Sequence, residues 1–216
     1  MDLGAVLVVV AAYLLGSVDF AVLVARAKGV DIYSVGSGNP GTANVLRTVG
    51  RGAAAMVMGG DLLKGVVAAA AGQLITGDIV IGYAAGAAAV LGHCFPIWHR
   101  FKGGKGVATG AGMVLWLAWP AFILLVVVWV VVVVLTRISS IASVAGAILV
   151  VPSIALSAGV ELIDPPPQAA YVITAAMALL VIIRHIPNLR RLLRGEESTV
   201  APSSQAVEGG VEPGAS

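Results

Sequence analysis

Seven apolar runs separated by short polar stretches organise the chain: Leu3 to Ala25, Ala53 to Ile75, Ile79 to Gly92, Val107 to Ala118, Trp119 to Leu135, Ile138 to Val160 and Ala169 to Ile186. Several approach the roughly 20 residues that a helix needs to cross hydrocarbon, whereas the third and fourth are short. The fourth and fifth runs also read as one long helix from Val107 to Leu135. Charge decides between the two readings. With seven spans, Arg26, Lys28, Arg47, Arg51, Arg100, Lys102, Lys105, Arg137, Arg184, Arg190, Arg191 and Arg194 all fall on one side. The short connections on the other side carry Asp2, Asp78, Glu161 and Asp164 and no cation. Merging the two runs would place Arg137 and the C-terminal arginines opposite Arg26 to Arg51, against the positive-inside tendency. The pattern therefore predicts an all-α polytopic membrane protein with seven transmembrane helices, the N-terminus outside and the C-terminus cytoplasmic. Trp119-Pro120 marks a tight extracytoplasmic turn.

Composition agrees: 59% hydrophobic and 11% charged residues exclude a soluble core, as does a mean hydropathy of +0.99. Residues 1–197 read as one integral-membrane domain, and 198–216, rich in Ser, Pro, Gly and Ala, as a disordered cytoplasmic tail. Met1 to Ala25 has no basic leading region and no small-residue cleavage signal, so it reads as a retained first span. The single cysteine, Cys94, excludes an intramolecular disulfide.

Three charges fall inside spans. Asp19 lies about 9 Å from the cytoplasmic end of the first, at 1.5 Å per residue, and must face protein, water or a cation. Asp61 and Lys64 stand three apart on one helix face and can pair with each other or with Asp19. A packing ion pair is preferred here over a proton relay.

Three polar clusters face the cytoplasm. The stretch FKGGKGVATGAG, Phe101 to Gly112, joins a flexible loop to a helix. Gly103, Gly104 and Gly106 permit sharp bends and close approach of backbone N–H groups to an anion. Lys102 and Lys105 supply positive charge, and the helix N-terminus adds free amides. It is not a nucleotide P-loop, because Lys105 is followed by Gly106 instead of Ser or Thr. The alternative is a flexible loop skimming the membrane. A second cluster, GSGNPGTANVLR over Gly36 to Arg47, crowds hydrogen-bonding side chains into a turn-rich loop, and the planar fork of Arg47 suits phosphate. The third, Arg184 to Glu197, follows the last span. Before the glycine loop, His93, Cys94 and His99 invite a metal, but no carboxylate or second cysteine completes a zinc site, so no metal is expected. Phe95, Trp98 and Phe101 instead seat this loop in the headgroup region.

These clusters resemble, in order, the three signature motifs of the bacterial membrane acyl-phosphate:glycerol-3-phosphate acyltransferases, the PlsY family, over about Leu14 to Glu197. The first motif matches at Ser37, Gly38, Asn39, Gly41, Asn44 and Arg47. The second matches at His93, Phe101, Gly103, Gly104, Lys105, Gly106 and Thr109, and the third at His185, Asn188, Arg191, Gly195 and Glu197. Many relatives read Gly-Ala-Thr-Asn where this chain has Gly41-Thr42-Ala43-Asn44, and Asp19 stands at a commonly apolar or proline position. The resemblance implies a seven-helix enzyme of the bacterial inner membrane, with its active site on the cytoplasmic face. It transfers a fatty acyl group from acyl phosphate to the 1-hydroxyl of sn-glycerol 3-phosphate, giving lysophosphatidate, with no cofactor, nucleic acid or obligate protein partner. Ser37, Arg47, Lys105, His185 and Asn188 are then the expected catalytic residues. Gly38, Asn39, Gly41, Asn44, His93, Gly103, Gly104, Gly106 and Thr109 are the expected substrate- and phosphate-binding residues.

The chemistry agrees with that reaction. Acyl phosphate is an activated anhydride, so the enzyme has mainly to align two phosphates and neutralise their charge. No histidine has Asp five residues on, as dyad acyltransferases do, and there is no Gly-x-Ser-x-Gly elbow. A transporter or channel for a phosphorylated anion is the alternative, but it would want polar groups near the bilayer midplane and access from both faces.

Overall fold

The computed structural model describes residues 2–200, so the predicted tail lies outside the described residues except for 198–200. All regular structure among them is helical: α1 Leu3–Gly16, α2 Phe20–Ala27, α3 Thr42–Thr48, α4 Arg51–Thr76, α5 Ile79–Cys94, α6 Val107–Leu117, α7 Trp119–Thr136, α8 Ser139–Gly159 and α9 Gln168–Leu193. Six helical segments are long and apolar enough to cross a membrane: Leu3–Ala27, Arg51–Thr76, Ile79–His99, Trp119–Thr136, Ser139–Gly159 and Gln168–Leu193. The 11-residue α6 is shorter, about 16 Å at 1.5 Å per residue.

The expected single helix from Leu3 to Ala25 is interrupted at Ser17 to Asp19. Asp19 adopts an extended backbone and its carboxylate caps α2, accepting from Val22 N–H at 3.1 Å. Asp competes well for this role because its oxygen satisfies an amide that a new helix start leaves without a partner. The interruption leaves the Val18 carbonyl available, and buried Lys64 donates to it at 2.9 Å.

The fourth and fifth apolar runs are two helices, broken at Ala118, where φ −154 and ψ 60 leave the helical region. Pro120 at the first turn of α7 suits a helix start. Both later boundaries extend past their expected ends. Helix α5 continues through His93 and Cys94, so these lie on its last turn instead of in a loop. Helix α9 runs through Pro187 to Leu193, seven residues beyond Ile186. Proline deletes one backbone donor, a loss membrane helices tolerate. The continuation stacks Arg184, His185, Asn188 and Arg191 on one helical surface at spacings of three and four.

Small residues let the helices approach closely. A Cβ on Gly65 of α4 would collide with the Thr109 carbonyl of α6, and one on Gly112 would collide with the Leu62 carbonyl of α4. Such contacts replace the hydrophobic driving force that lipid removes. Tyr83, Met113, Leu117 and Ile154 pack at the centre of the bundle. Helix α7 turns most of its valines outward, and Val134 and Leu135 are 69% and 77% exposed, as a lipid-facing surface should be.

Cross-links bring one end of the bundle together. Tyr13 Oη donates to Phe95 O, Tyr33 Oη to Lys102 O, and Val200 N–H to Arg137 O. The first loop, the glycine loop, the α7–α8 turn and the end of α9 therefore share that end.

Candidate active site

The first loop is shaped by a buried amide. Asn44 Oδ1 accepts from Ser37 N–H at 3.0 Å, and Nδ2 donates to Val35 O at 3.1 Å. Gly36, at φ 56, leaves no room for a Cβ beside Asn44 Oδ1. Asn44 thus spends its polar atoms on holding the loop, which leaves Ser37 exposed at its rim. Arg47 lies one turn further along α3.

The glycine loop is packed more tightly than an open phosphate cradle. Gly103 and Gly104 are buried, and a Cβ on either would strike His93. Gly104 N–H already donates to the His93 carbonyl at 3.0 Å, so this amide is not available to an anion. On the other side, Arg184 Nη2 donates to Gly103 O at 2.6 Å and to Gly104 O at 2.8 Å, and Nε donates to Gly104 O at 3.1 Å. The guanidinium also lies 5.3 Å from the centre of the Phe95 ring. Phe95 thus covers Arg184, while Trp98 and Phe101 are exposed.

Clasped from both sides, the loop projects Lys105 toward α9, where Nζ donates to Asn188 Oδ1 at 2.5 Å. Asn188 Nδ2 donates to Glu197 Oε1 at 2.5 Å, as does Ser140 Oγ at 2.8 Å. Arg191 Nε pairs with Glu197 Oε2 at 2.8 Å. Glu197 is the hub of this network. Burial pushes its carboxyl up, but the bonds from Asn188 and Ser140 and the charge of Arg191 outweigh it and hold it below its ordinary value. Burial pulls the Lys105 ammonium down to about 8, against the field of Glu197 and together with those of Arg191, Arg47 and Arg184. Burial also lowers Arg47, opposed by Glu197. Four cations thus act on one another around one carboxylate.

Between the first loop and the end of α9 is a cleft of 560 Å³ lined by Gly36, Ser37, Arg47, Thr48, Arg191, Glu197 and Ser198. Another hollow, at the α8–α9 turn, is lined by Glu161 and Asp164 and by no cation. Net positive charge at the first focuses an anion there.

The structure thus brings Arg47, Lys105 and Asn188 into one electrostatic group, with Ser37 on the cleft wall. His185 is buried behind it, its Nδ1 held by Val181 O at 2.8 Å, which leaves the other ring nitrogen as an acceptor. Gly38 and Gly106 take positive φ, 65 and 85, and shape the two loops. Asn39 and Gly41 complete the first turn, and a Cβ on Gly41 would sit 3.0 Å from Asn39 Nδ2. Thr109 is fully buried on α6, its hydroxyl without a hydrogen-bond partner among the described residues. His93 does not line the cleft, and its Nδ1 contacts Lys64 at 2.9 Å and Asp61 at 3.4 Å. Sequence reasoning missed Arg184, Ser140 and this carboxylate beside His93. Arg184 had a signal, being adjacent to His185 and four residues before Asn188, and Asp61 had one as a charge inside a span, whereas Ser140 had none.

A model of the glycerol-3-phosphate acyltransferase family matches residues 6–195. The chain belongs to this family. It is 44% identical over 192 residues to the glycerol-3-phosphate acyltransferase of Rubrobacter xylanophilus, covering 89% of this chain and 93% of that one. It is 45% identical over 193 residues to that of Geobacter metallireducens, covering 89% and 96%. Among solved structures, the glycerol 3-phosphate form of the integral membrane acyltransferase PlsY superposes with a TM-score of 0.82 at 33% identity, covering 94% of this chain and 98% of that one. The lysophosphatidic acid form of PlsY superposes at 0.79, also with 33% identity, covering 90% and 94%.

Proposed function

We propose that this acyltransferase moves a fatty acyl group from acyl phosphate to the 1-hydroxyl of sn-glycerol 3-phosphate, releasing lysophosphatidate and inorganic phosphate. The convergence of Arg47, Arg191 and Glu197 on one cleft, with Asn188 and Lys105 joined in turn to Glu197, carries this reading. Both substrates end in a phosphate, and both must be neutralised while the acyl carbonyl is held against a hydroxyl. Arg47 and Lys105 serve the phosphates. Ser37, Asn39, His185 and Asn188 position the glycerol and the reacting carbonyl, and the lipid-facing bundle accommodates the acyl chain. Asn44, His93, Gly103 and Gly104 support the two loops that carry these groups, while Gly38, Gly41, Gly106 and Thr109 shape the backbone at the phosphates. Purified protein given acyl phosphate and glycerol 3-phosphate should form lysophosphatidate; transport of the phosphate ester without product would favour a carrier instead.

The alkaline limb of the rate profile should belong to Lys105. Its charged form binds phosphate, so kcat/KM should fall as pH rises through about 8, the value to which burial brings this group. A bound dianion favours the charged ammonium, so kcat should persist to higher pH. Lys105→Arg should move the kcat/KM limb upward; an unmoved limb would assign it elsewhere.

The proposed topology has seven crossings in a bacterial inner membrane, α6 being the short one, with the site and C-terminus cytoplasmic. The absence of Lys and Arg from the opposite connections supports it. In a background lacking Cys94, a cysteine replacing exposed Asp164 should react with an impermeant reagent in intact cells, and one replacing exposed Thr199 should not. Labelling at Thr199 would reverse the orientation.

A further inference from the structure

Beneath the glycine loop, on the side away from the cleft, four ionisable side chains are buried together: Asp19, Asp61, Lys64 and His93 are 4%, 2%, 2% and 6% exposed. Of these, only His93 enters the account of the phosphate site, as a support of the glycine loop. Lys64 Nζ contacts Asp61 Oδ1 at 2.8 Å, Val18 O at 2.9 Å and His93 Nδ1 at 2.9 Å. A lysine ammonium has donors only. His93 Nδ1 must therefore accept, because a proton there would set two donors against each other. Asp61, at 3.4 Å from Nδ1, is beyond good hydrogen-bond length for the ring and pairs with Lys64 at 2.8 Å. Nδ1 being the acceptor, the ring proton is on Nε2, and that edge packs on Gly104, whose missing Cβ makes the room. The same residue's carbonyl accepts from Gly104 N–H at 3.0 Å. His93 is thus the bed on which the loop rests, opposite the clasp of Arg184, and Lys105 is the next residue.

We propose that Asp61 and Lys64 are positioning residues of the transferase, which fix His93 as its Nε2–H tautomer beneath Gly104 and so set where Lys105 meets substrate phosphate. This explains why an ion pair is kept in a membrane span where an apolar pair of similar volume would pack as well. Lys64 is tied at once to the interruption of the first span, to α4 and to α5, so three elements fix the histidine ring. The inference rests on the phosphate role proposed for Lys105.

The test combines a signature read without substrate with kinetics. In wild-type protein carrying ¹⁵N-labelled histidine, the His93 ring, assigned by its loss in a His93→Gln sample, should show a protonated Nε2 and an unprotonated Nδ1. Protonation at Nδ1 in the wild type would overturn the proposal whatever the activity. Replacing both charges together, Asp61→Leu with Lys64→Met, removes the ion pair without stranding either partner, while Asp19 keeps its bond from Val22 N–H, and should preserve the melting temperature. This paired variant should lose the single His93 tautomer. Its kcat/KM should fall about 10²-fold, the scale expected when a catalytic group is displaced by about 1 Å, and KM for acyl phosphate should rise. Wild-type rates, or a fall in kcat with KM unchanged as loss of active protein would give, would overturn the positioning role. Lysophosphatidate formation by the wild type reports separately on the proposed reaction.

Discussion

Arg47→Ala and Lys105→Ala should each remove most of the transferase activity while leaving a folded, extractable protein. Each deletes a charge-assisted contact to phosphate, and hydrogen bonds to charged groups are worth about 1.5 to 3 kcal/mol. At about 1.4 kcal/mol per decade, kcat/KM should fall roughly 10- to 200-fold. The Lys105 variant should lie at the severe end, because Asn188 Oδ1 then loses its donor and the Glu197 hub loses one of its ties. Arg194→Ala is the control. Arg194 is exposed at the end of α9 and should change the rate little. Equal losses in all three variants would mean that positive charge acts diffusely, and no defined phosphate site would remain. Thermal melts of the purified variants separate lost catalysis from lost folding.

The apolar runs made most of the fold legible because lipid is a demanding solvent: a span must be helical and long, and the pattern reports both. Charge placement resolved the break at Ala118, which hydropathy alone left open. What was not legible came from local competition. Asp19 reads as an oddity within a continuous span, yet its short carboxylate caps a new helix and splits the first span in two. The last apolar run ends at Ile186, yet α9 passes through Pro187 and carries Asn188 and Arg191 to Glu197. The motifs identified which residues gather, but not what each one touches. Gly103 and Gly104 were expected to open their amides to an anion; they are small because His93 lies against them. The Asp61–Lys64 pair was legible as i, i+3, whereas its contact with His93, 29 residues from Lys64, depends on how α4 meets α5. Arg184 was legible as a cytoplasmic charge at the head of the third polar cluster. Its role as a clasp exists only once the glycine loop folds back over α9.

Acyl transfer should be direct, with no acyl-enzyme. Ser37 is the hydroxyl best placed to be a nucleophile, on the wall of the cleft, but a serine needs a base held in place by a third group. The structure supplies none to it. Ser37 N–H is bound to Asn44, and among the described residues no histidine is hydrogen-bonded to Ser37. Among the described residues, the carboxylate within ion-pair distance of a histidine is Asp61, and it belongs to the buried Lys64–His93 group beneath the glycine loop. Acyl phosphate carries its own solution. As the glycerol oxygen bonds to the carbonyl carbon, the bond from that carbon to the phosphate oxygen breaks, and the departing phosphate can take the hydroxyl proton. Ser37→Ala should then slow the reaction about tenfold, the loss of one hydrogen bond of about 1.4 kcal/mol, without changing its course. The decisive measurement incubates enzyme, acyl phosphate and labelled inorganic phosphate without glycerol 3-phosphate. An acyl-enzyme would return label to acyl phosphate by reversal of its formation, whereas single displacement gives no exchange until the acceptor is present. Exchange without acceptor that disappears in Ser37→Ala would make Ser37 the nucleophile and end the direct mechanism.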